Sequence, residues 1–467
     1  METIQLFAND FLLFTERIFG IFANNCNEEF DLCRFEKEVS SELRNLGRVI
    51  TKRSLEALDE YFVENPQERK HWNVLRGPES KTILTTLGEV VYNRRYYKNA
   101  VTGQTCHLVD HICGIRAHEH VAPALKAMLA ARAAEMPYSK AAEGTEVSKQ
   151  TVHHIIKKLE IKNDESEKEQ AQKKELKVLY VEADEAHVSL QNGKSLIMPL
   201  IYVHEGWMQE NSRRCLINPY YISELKDSEE LWYKILDYID NHYEFEKIER
   251  IFIGGDGASW IKKGLEIIPK SEYILDRFHL MKYLKRGSLG DKGALKTLTG
   301  LTEECDYDGL IEVLSAIKEA GVTEAQKARV QECITYVTNN WDGIENYKKN
   351  ADKVKGVSAE GHVSSILADR LTSRPKGWCE VCVKTIAVLR ALRANGVNLF
   401  EKISSTLKAK KEEAAPEVSI KRTAKPKNQR GAKAKYEKYF QAGIPALSGS
   451  VNNLSQALRG LTAQKAI

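Results

Sequence analysis

Three acidic residues stand at positions where a folded chain could gather them around divalent metal ions. Asp184 lies near the end of a β-rich run, Asp256 follows another such run within Gly-Gly-Asp-Gly, and Glu360 opens a predicted helix. Carboxylate oxygens are the ligands that Mg²⁺ prefers, and two such ions about 4 Å apart can activate a nucleophile and stabilise charge on a phosphate. These residues therefore predict phosphodiester chemistry that depends on two Mg²⁺ or Mn²⁺ ions.

Residues 177–284 contain the elements that would position the first two acids. Apolar runs predict three successive strands, a helix, a fourth strand, a short helix and a fifth strand. This order matches a ribonuclease-H-like mixed sheet, in which the first and fourth strands are neighbours, so that Asp184 and Asp256 can converge. Glu182 is an alternative to Asp184 because it shares that face of the strand, whereas alternation places Glu185 on the opposite face.

The third acid is expected from a helix that packs beside this sheet, and Glu360 is the first choice. Its distance along the chain from Asp256 is explained if residues 285–355 form a helical insertion, which their apolar periodicity supports. Asp276 competes with Glu360 because it ends the fifth predicted strand. Together with His279, it could equally form a pair that supports the metal ligands or contacts the substrate.

The N-terminal part of the chain predicts helices followed by a small β-hairpin. Helical periodicity dominates residues 1–65, residues 82–97 alternate as strands do, and residues 101–103 supply a turn. Arg94 and Arg95 adjoin aromatic residues in the hairpin. They could grip a DNA backbone or could simply form its exposed face.

A helix-turn-helix is predicted before residue 160. A short helix meets a turn at residues 144–145, and Ser148 can cap a second helix by accepting a hydrogen bond from a backbone amide. The outer side of that helix carries Lys149, Gln150 and His153, which could read bases in a major groove. An ordinary helical hairpin is the alternative interpretation.

The charge of the chain is concentrated near its C-terminal end. Net charge is only +4, with 42% hydrophobic and 29% charged residues, so composition alone does not identify a nucleic-acid partner. Between residues 421 and 438, however, eight basic residues accompany one acid. This segment is either a solvated linker or an arm that contacts phosphates. Its candidate DNA contacts are Lys421, Arg422, Lys425, Lys427 and Arg430.

The cysteines and the remaining motifs indicate few other activities. Nine cysteines without an export signal predict reduced thiols in a cytoplasmic protein. Cys379 and Cys382 form a CxxC without a second pair at zinc-finger spacing, and the cysteines and histidines of residues 106–120 fit no standard zinc motif. No run is long enough to cross a membrane, and no P-loop indicates nucleotide use.

Several motifs together resemble the DDE transposases of bacterial insertion sequences, and more narrowly the ISLre-type family. They are Asp184 in the first strand, the Gly-Gly-Asp256-Gly turn, Asp276-Arg-Phe-His279-Leu-Met-Lys282, the Glu360-Gly-His-Val helix and the Thr-Leu-Gly-Glu-Val hairpin. The resemblance covers nearly the whole chain.

The resemblance implies an α+β multidomain protein with a ribonuclease-H-like core and an all-α insertion. It implies that Asp184, Asp256 and Glu360 bind the metal ions, that Asp276, His279 and Lys282 support them or contact DNA, and that the partner is double-stranded DNA. A homodimer or higher oligomer on DNA, associated with the bacterial nucleoid, is expected. A nuclease or resolvase without strand joining, an inactive DNA-binding regulator and a metal-free scaffold remain alternatives.

The sequence thus divides into seven predicted segments. They are an N-terminal helical region (1–80), a hairpin and helix-turn-helix region (81–160), a charged connector (161–176), the first part of the core (177–284), the helical insertion (285–355), the C-terminal helices of the core (356–400) and the basic tail (401–467).

Overall fold

A computed structural model describes residues 2–26, 30–163, 172–211, 213–373 and 377–412. Half of the predicted connector (164–171) and the candidate contacts Lys421, Arg422, Lys425, Lys427 and Arg430 lie outside these ranges. Within them, the predicted helical and strand-rich regions are found in the predicted order.

The strands are β1 (Trp72–Thr85), β2 (Gly88–Asn99), β3 (Thr105–Cys106), β4 (Val178–Ser189), β5 (Ser195–His204), β6 (Trp207–Glu210), β7 (Arg213–Leu216), β8 (Tyr220–Ile222), β9 (Arg250–Gly255) and β10 (Ser271–Leu275). The helices before β9 are α1 (Glu2–Cys26), α2 (Leu32–Glu64), α3 (Leu108–Ile112), α4 (Pro123–Ala133), α5 (Tyr138–Ala142), α6 (Lys149–Lys158) and α7 (Ser228–His242), with a 3₁₀ turn at Phe245–Lys247. Those after β9 are α8 (Ser259–Ile267), α9 (Arg277–Gly287), α10 (Lys292–Glu304), α11 (Tyr307–Glu319), α12 (Glu324–Asn339), α13 (Trp341–Lys349), α14 (Ala359–Val363), α15 (Asp369–Leu371), α16 (Glu380–Ala394) and α17 (Leu399–Glu412).

The N-terminal hairpin turns earlier than the sequence indicated. The alternating run is divided between β1 and β2, which pair antiparallel with Thr85 opposite Gly88. Gly88 has a φ of 110°, a conformation that favours glycine, and it allows the tight reversal. Gly103 instead lies in the second turn, which leads from β2 into β3.

A mixed five-stranded sheet forms the centre of the molecule. Its order is β10-β9-β4-β5-β8, with β4 antiparallel to β5, β5 antiparallel to β8, and β9 parallel to both β4 and β10. The predicted adjacency of the first and fourth strands of this region is therefore confirmed. The predicted third strand is interrupted, because β6 and β7 form a separate two-stranded hairpin before β8.

Each face of the sheet packs on a different helical layer. Val181 and Ala183 of β4 face a core that includes α7 and α8. Ala186 and Val188 face a larger core that contains α4, α6, α16 and the start of α17. A third core lies within the helices between residues 280 and 344, as predicted for the insertion, and it reaches the sheet at Tyr273.

Two helices joined by a turn, α5 and α6, occupy the region predicted to form a helix-turn-helix. Gly144 has a φ of 74°, and the Ser148 hydroxyl accepts a hydrogen bond from the Thr151 amide at 3.2 Å, which caps α6. Val152 and Ile156 are buried in the same hydrophobic core as the C-terminal helices. The structure thus differs from the predicted separation at residue 160, because this core continues from the helix-turn-helix into the central region.

All nine cysteines are free thiols. Among the helices of the described residues, none is both apolar and long enough to traverse a bilayer.

Candidate functional site

A cleft of about 480 Å³ opens at the edge of the central sheet and contains all three predicted metal ligands. Asp184 enters it from β4, Asp256 from the loop after β9, and Glu360 from α14. These elements belong to distant parts of the chain. The carboxylate oxygens of the three acids do not all lie within 4.8 Å of one another. In the described part of the chain, one group of three potential metal ligands is that compact, and it consists of a histidine and two cysteines.

Asp184 is a buried carboxylate with few stabilising partners. It is 9% exposed, and its Oδ1 accepts a hydrogen bond from the Glu185 amide at 2.8 Å. Burial raises the pKa of Asp184 to about 6, and the negative charges of Asp256 and Asp276 add to this rise, whereas His279 lowers it. A divalent cation would relieve this accumulation of charge, because it favours the ionised form.

The glycines around Asp256 are required by close packing. A Cβ atom on Gly255 would lie 2.8 Å from Cδ1 of Ile261, and one on Gly257 would lie 2.4 Å from Oδ1 of Asn340. Gly257 also has a φ of 97°. Asp256 accepts a hydrogen bond from the Ala258 amide at 2.9 Å and is thereby fixed at the start of α8.

Glu360 lies in a short helix that continues directly into a π-helical turn. The π segment spans Ser364–Ala368, and Ser364 and Ala368 line the cleft with Glu360. Glu360 is exposed, and its carboxylate forms no hydrogen bond or ion pair with any described residue. It is therefore available to a ligand. Single π turns in helices are frequent at functional sites.

Asp276 is occupied by other roles and does not line the cleft. It is 4% exposed, its Oδ1 caps α9 by accepting from the Phe278 amide at 3.0 Å, and its Oδ2 lies 2.9 Å from Nδ1 of His279. This hydrogen bond raises the pKa of His279 and favours the imidazolium. His279 and Lys282 both line the cleft, one turn apart on α9. Asp276 thus orients the His279 ring, and Glu360 is better placed as the third ligand.

Glu182 points into a buried polar cluster, which we call the Glu182 network. Its partners are the Tyr202 hydroxyl, Nε2 of His204 at 3.2 Å, and the amide of Ser358 at 2.6 Å. Burial alone would raise the pKa of Glu182, but the bonds from His204, Tyr202 and Ser358 outweigh it and hold the pKa below its usual value. Because Ser358 immediately precedes α14, the network anchors the helix that carries Glu360.

Glu185 lines the cleft beside Asp184, although it lies on the opposite face of β4. Its Oε2 accepts a hydrogen bond from Nε1 of Trp260 at 2.7 Å, on the side of the sheet where Val181 and Ala183 also pack. β4 extends beyond the end of β9, because the pairing of these strands stops at Glu182 opposite Gly254. Alternation therefore assigned Glu185 to the correct face, but Glu185 lines the cleft and Glu182 does not.

The arginines predicted to contact DNA from the hairpin are held by internal ion pairs. Arg94 lies 2.7 Å from Asp110, and Arg95 lies 2.8 Å from both Asp59 and Glu60. Both arginines are largely buried. The prediction that these arginines contact a DNA backbone is therefore wrong, because their guanidinium groups already pair with acids from α2 and α3.

The helix-turn-helix candidates are divided between the surface and the interior. Lys149 and Gln150 are exposed at the start of α6, as expected of groups that reach a groove. His153 is instead half-buried, and its ring lies 6.0 Å from that of Tyr138. One of its ring nitrogens groups with the thiols of Cys379 and Cys382. His153 therefore does not lie on the outer side of the helix, where it was predicted to read bases.

Two tyrosines that line the cleft were not predicted from the sequence. Tyr283 of α9 and Tyr336 of α12 line it and stack with ring centroids 3.7 Å apart. The Tyr336 hydroxyl donates to the backbone carbonyl of Asp256 at 2.7 Å. The insertion therefore forms one wall of the cleft. Only the position of Tyr283 beside Lys282 could have suggested this role.

Comparison with known protein families places this architecture in one of them. A family model described as an uncharacterised protein family, UPF0236, matches residues 25–410, which include the whole cleft. The chain belongs to the UPF0236 family. Two UPF0236 proteins of Caldanaerobacter subterraneus subsp. tengcongensis are similar to it, each 36% identical, over 400 and 394 residues. The alignments cover 85% and 84% of this chain and 86% and 84% of those proteins.

A more distant member of the family comes from another organism. The protein of Streptococcus gallolyticus named "UPF0236 protein in vanSb 3'region" is 26% identical over 377 residues, which cover 76% of this chain and 80% of that protein. Similarity to UPF0236 proteins thus extends over the hairpin, the sheet, the insertion and the C-terminal helices together.

Proposed function

We propose that this UPF0236 protein is a DDE transposase, which binds the terminal inverted repeats of an insertion sequence and cleaves and joins DNA. The observation that carries the proposal is the meeting of Asp184, Asp256 and Glu360 in one cleft, although they come from the middle of β4, the loop after β9 and a helix far apart in sequence. Glu360 has no partner among the described residues, and Asp184 is crowded by other negative charges. Unsatisfied acids in a cleft are typical of functional sites.

The sheet topology supports the proposal independently of the acids. Three antiparallel strands, β4, β5 and β8, are extended by β9 and β10, which run parallel to β4. The resulting order 3-2-1-4-5 is the one expected of a ribonuclease-H-like core, with one acid on its first strand, just beyond the pairing with the fourth, and one directly after the fourth strand. The C-terminal helices then bring in the third acid across the same edge.

The donor set fits two hard divalent cations. Asp184, Asp256 and Glu360 offer only oxygen ligands, as Mg²⁺ or Mn²⁺ prefers. When bound, the ions would activate the attacking water or 3′-hydroxyl and neutralise charge on the phosphate.

Other residues of the chain would bind and orient the DNA. His279 and Lys282 line the cleft, where they could contact backbone phosphates next to the acids. Lys149 and Gln150, exposed at the start of the capped helix α6, are the groups best placed to contact bases. Because synapsis joins two element ends, a homodimer or higher oligomer on DNA is part of the proposal.

The names of the relatives support a mobile element. One relative in Caldanaerobacter subterraneus carries a name that joins eleven locus designations, and another joins four. A sequence that recurs at many loci of one strain is what repeated transposition produces. By contrast, a metabolic enzyme or a single regulator would not be expected to recur in this way.

The proposal is tested by incubating the purified protein with DNA that borders its reading frame, in the presence of Mg²⁺. We expect cleavage at inverted repeats, and joining of pre-cut ends to a target plasmid. Asp256→Asn should abolish both reactions while retaining end binding, whereas Glu319→Gln, at an exposed position of the insertion, should behave like the wild type.

The outcomes separate the alternatives. Cleavage without joined products would indicate a nuclease or resolvase and would overturn the transposase assignment. Binding of the ends without any cleavage would indicate a regulator. Full activity of Asp256→Asn would remove the metal-binding role of the cleft.

A further inference from the structure

A second group of potential ligands lies away from the cleft, where the helix-turn-helix meets the C-terminal helices. His153 of α6 offers one ring nitrogen, and Cys379 and Cys382 offer two thiols at the start of α16. The three ligand atoms all lie within 4.8 Å of one another. The cysteines are separated from His153 by more than two hundred residues, so that folding alone creates the group.

His153 has a buried ring nitrogen, Nδ1, that lacks a hydrogen-bond partner among the described residues. A buried polar atom without a partner is costly and calls for an explanation. Cys382 is fully buried, whereas Cys379 and His153 are half-buried, so that the group is open to solvent on one side only.

The local backbone supports a preformed pair of thiols. Cys379 occupies the N-cap of α16, and Cys382 lies in its first turn. The spacing Cys-x-x-Cys at a helix start directs two sulfur atoms towards a common point, as in many zinc sites. A second cysteine pair at zinc-finger spacing is not required here, because the third ligand, His153, comes from another part of the fold.

We infer that His153, Cys379 and Cys382 bind one Zn²⁺ ion, whose fourth position faces solvent. Two thiolates and one neutral imidazole are typical zinc ligands, and binding would release the thiol protons. The two thiolates would balance the charge of the ion. The site would fasten the recognition helix α6 to α16, and it is independent of the carboxylate cleft and of the proposed transposase activity.

The cysteine and histidine cluster of residues 106–120 provides an internal comparison. It is richer in potential ligands, yet no three of them approach within 4.8 Å. His107 instead bonds through Nδ1 with the Arg95 carbonyl at 3.0 Å and packs on Tyr96. We therefore expect no metal at this cluster, and Cys113 offers a matched control.

The test is the zinc content of the full chain, purified with Zn²⁺ in the medium and measured by elemental analysis. We expect one equivalent in the wild type and almost none in His153→Asn or Cys379→Ser. His154→Asn, Cys113→Ser and Asp184→Asn should each retain one equivalent, because these residues lie outside the group. Circular dichroism identifies any variant that fails to fold, and half-buried Cys379 is the safer cysteine to replace.

Cobalt substitution and chelation give independent readouts. Co²⁺ should produce thiolate charge-transfer absorption that is absent in Cys379→Ser, and a chelator should lower the melting temperature of the wild type but not of His153→Asn. A wild-type chain that takes up no zinc, or that contains a Cys379–Cys382 disulfide, would overturn the inference. Zinc retained by His153→Asn would also overturn it.

Discussion

The Glu182 network and the cleft around Asp184 lie on the same face of β4, two residues apart, and they treat a carboxylate in opposite ways. Glu182 is supplied with donors from Tyr202, His204 and Ser358, and its pKa is lowered. Asp184 is nearly as buried but accepts one amide and faces other acids, which raises its pKa to about 6. The Glu182 network stabilises the fold. The Asp184 carboxylate, in contrast, lacks a cationic partner among the described residues that would offset the nearby acids, and a bound cation could supply one.

The two arrangements are also connected. The Glu182 network binds Ser358 at the start of α14, and Glu360 follows two residues later on the same helix. The hydrogen-bonded Glu182 carboxylate thus positions the helix that carries Glu360, whose carboxylate has no partner among the described residues. Both residues are acidic, so their charge does not distinguish the two roles. The number of hydrogen-bond donors around each carboxylate does.

The largest expected effect concerns DNA cleavage. Asp184→Asn should lower the cleavage rate by at least about 10³-fold, because a metal ligand that stabilises the transition state by several kcal/mol is lost. Glu182→Gln should lower it only by about tenfold, through a small displacement of α14. Single-turnover cleavage of a labelled element end measures both. Equal losses in the two variants would contradict the distinction between them.

The next effect concerns stability. Glu182→Gln should reduce the free energy of unfolding by about 3 kcal/mol, since it leaves His204 buried without its charged partner. Urea denaturation followed by circular dichroism measures this change. Glu319→Gln serves as the exposed control and should unfold at the same urea concentration as the wild type. An unchanged midpoint for Glu182→Gln would show that the network contributes no stability.

Asp184→Asn should have the opposite effect on stability. The folded-state pKa of about 6 exceeds the ordinary value of 3.8, so the ionised carboxylate destabilises the folded state, fully so above pH 6. The variant should therefore be more stable than the wild type at pH 7.5 without metal, by up to about 3 kcal/mol. This gain should disappear as the pH falls towards 4. A loss of stability at neutral pH would contradict the prediction.

The smallest effect concerns the cationic side of the cleft. Lys282→Gln should weaken DNA binding modestly and reduce the slope of log affinity against log salt by about one. Lys296→Gln, at an exposed position on α10, should leave the slope unchanged. Fluorescence anisotropy at several salt concentrations measures both. An unchanged slope in Lys282→Gln would remove this lysine from the phosphate contacts.

Much of the fold was predictable because it depends on local patterns. Apolar periodicity predicted the strands of the sheet, the helices after residue 285 and the helices α5 and α6, and the Ser148 cap was recognised from a single side chain. Alternation assigned Glu185 to the correct face of β4, but it could not show that β4 extends beyond β9 and that Glu185 therefore lines the cleft. The turn before Gly88 was missed because residues 82–97 alternate across it.

The remaining errors concern tertiary partners. Arg94 and Arg95 look like surface cations in the sequence, but acids from α2 and α3 neutralise them. His153 lies on a helix face that seems exposed until α16 covers it with two thiols. Each of these partners is remote in sequence, and no local pattern indicates which residues will meet.

The hydrophobic core shared by α6 and the C-terminal helices has a consequence for how an element end would be used. Because α6 packs in the same core as the helices beside the acids, it cannot move independently of them. If α6 reads bases as we propose, the distance from those bases to the bond that is cut would be fixed by the fold. Adding a few base pairs between those two points of the repeat would move the bond out of reach, however well the repeat is bound.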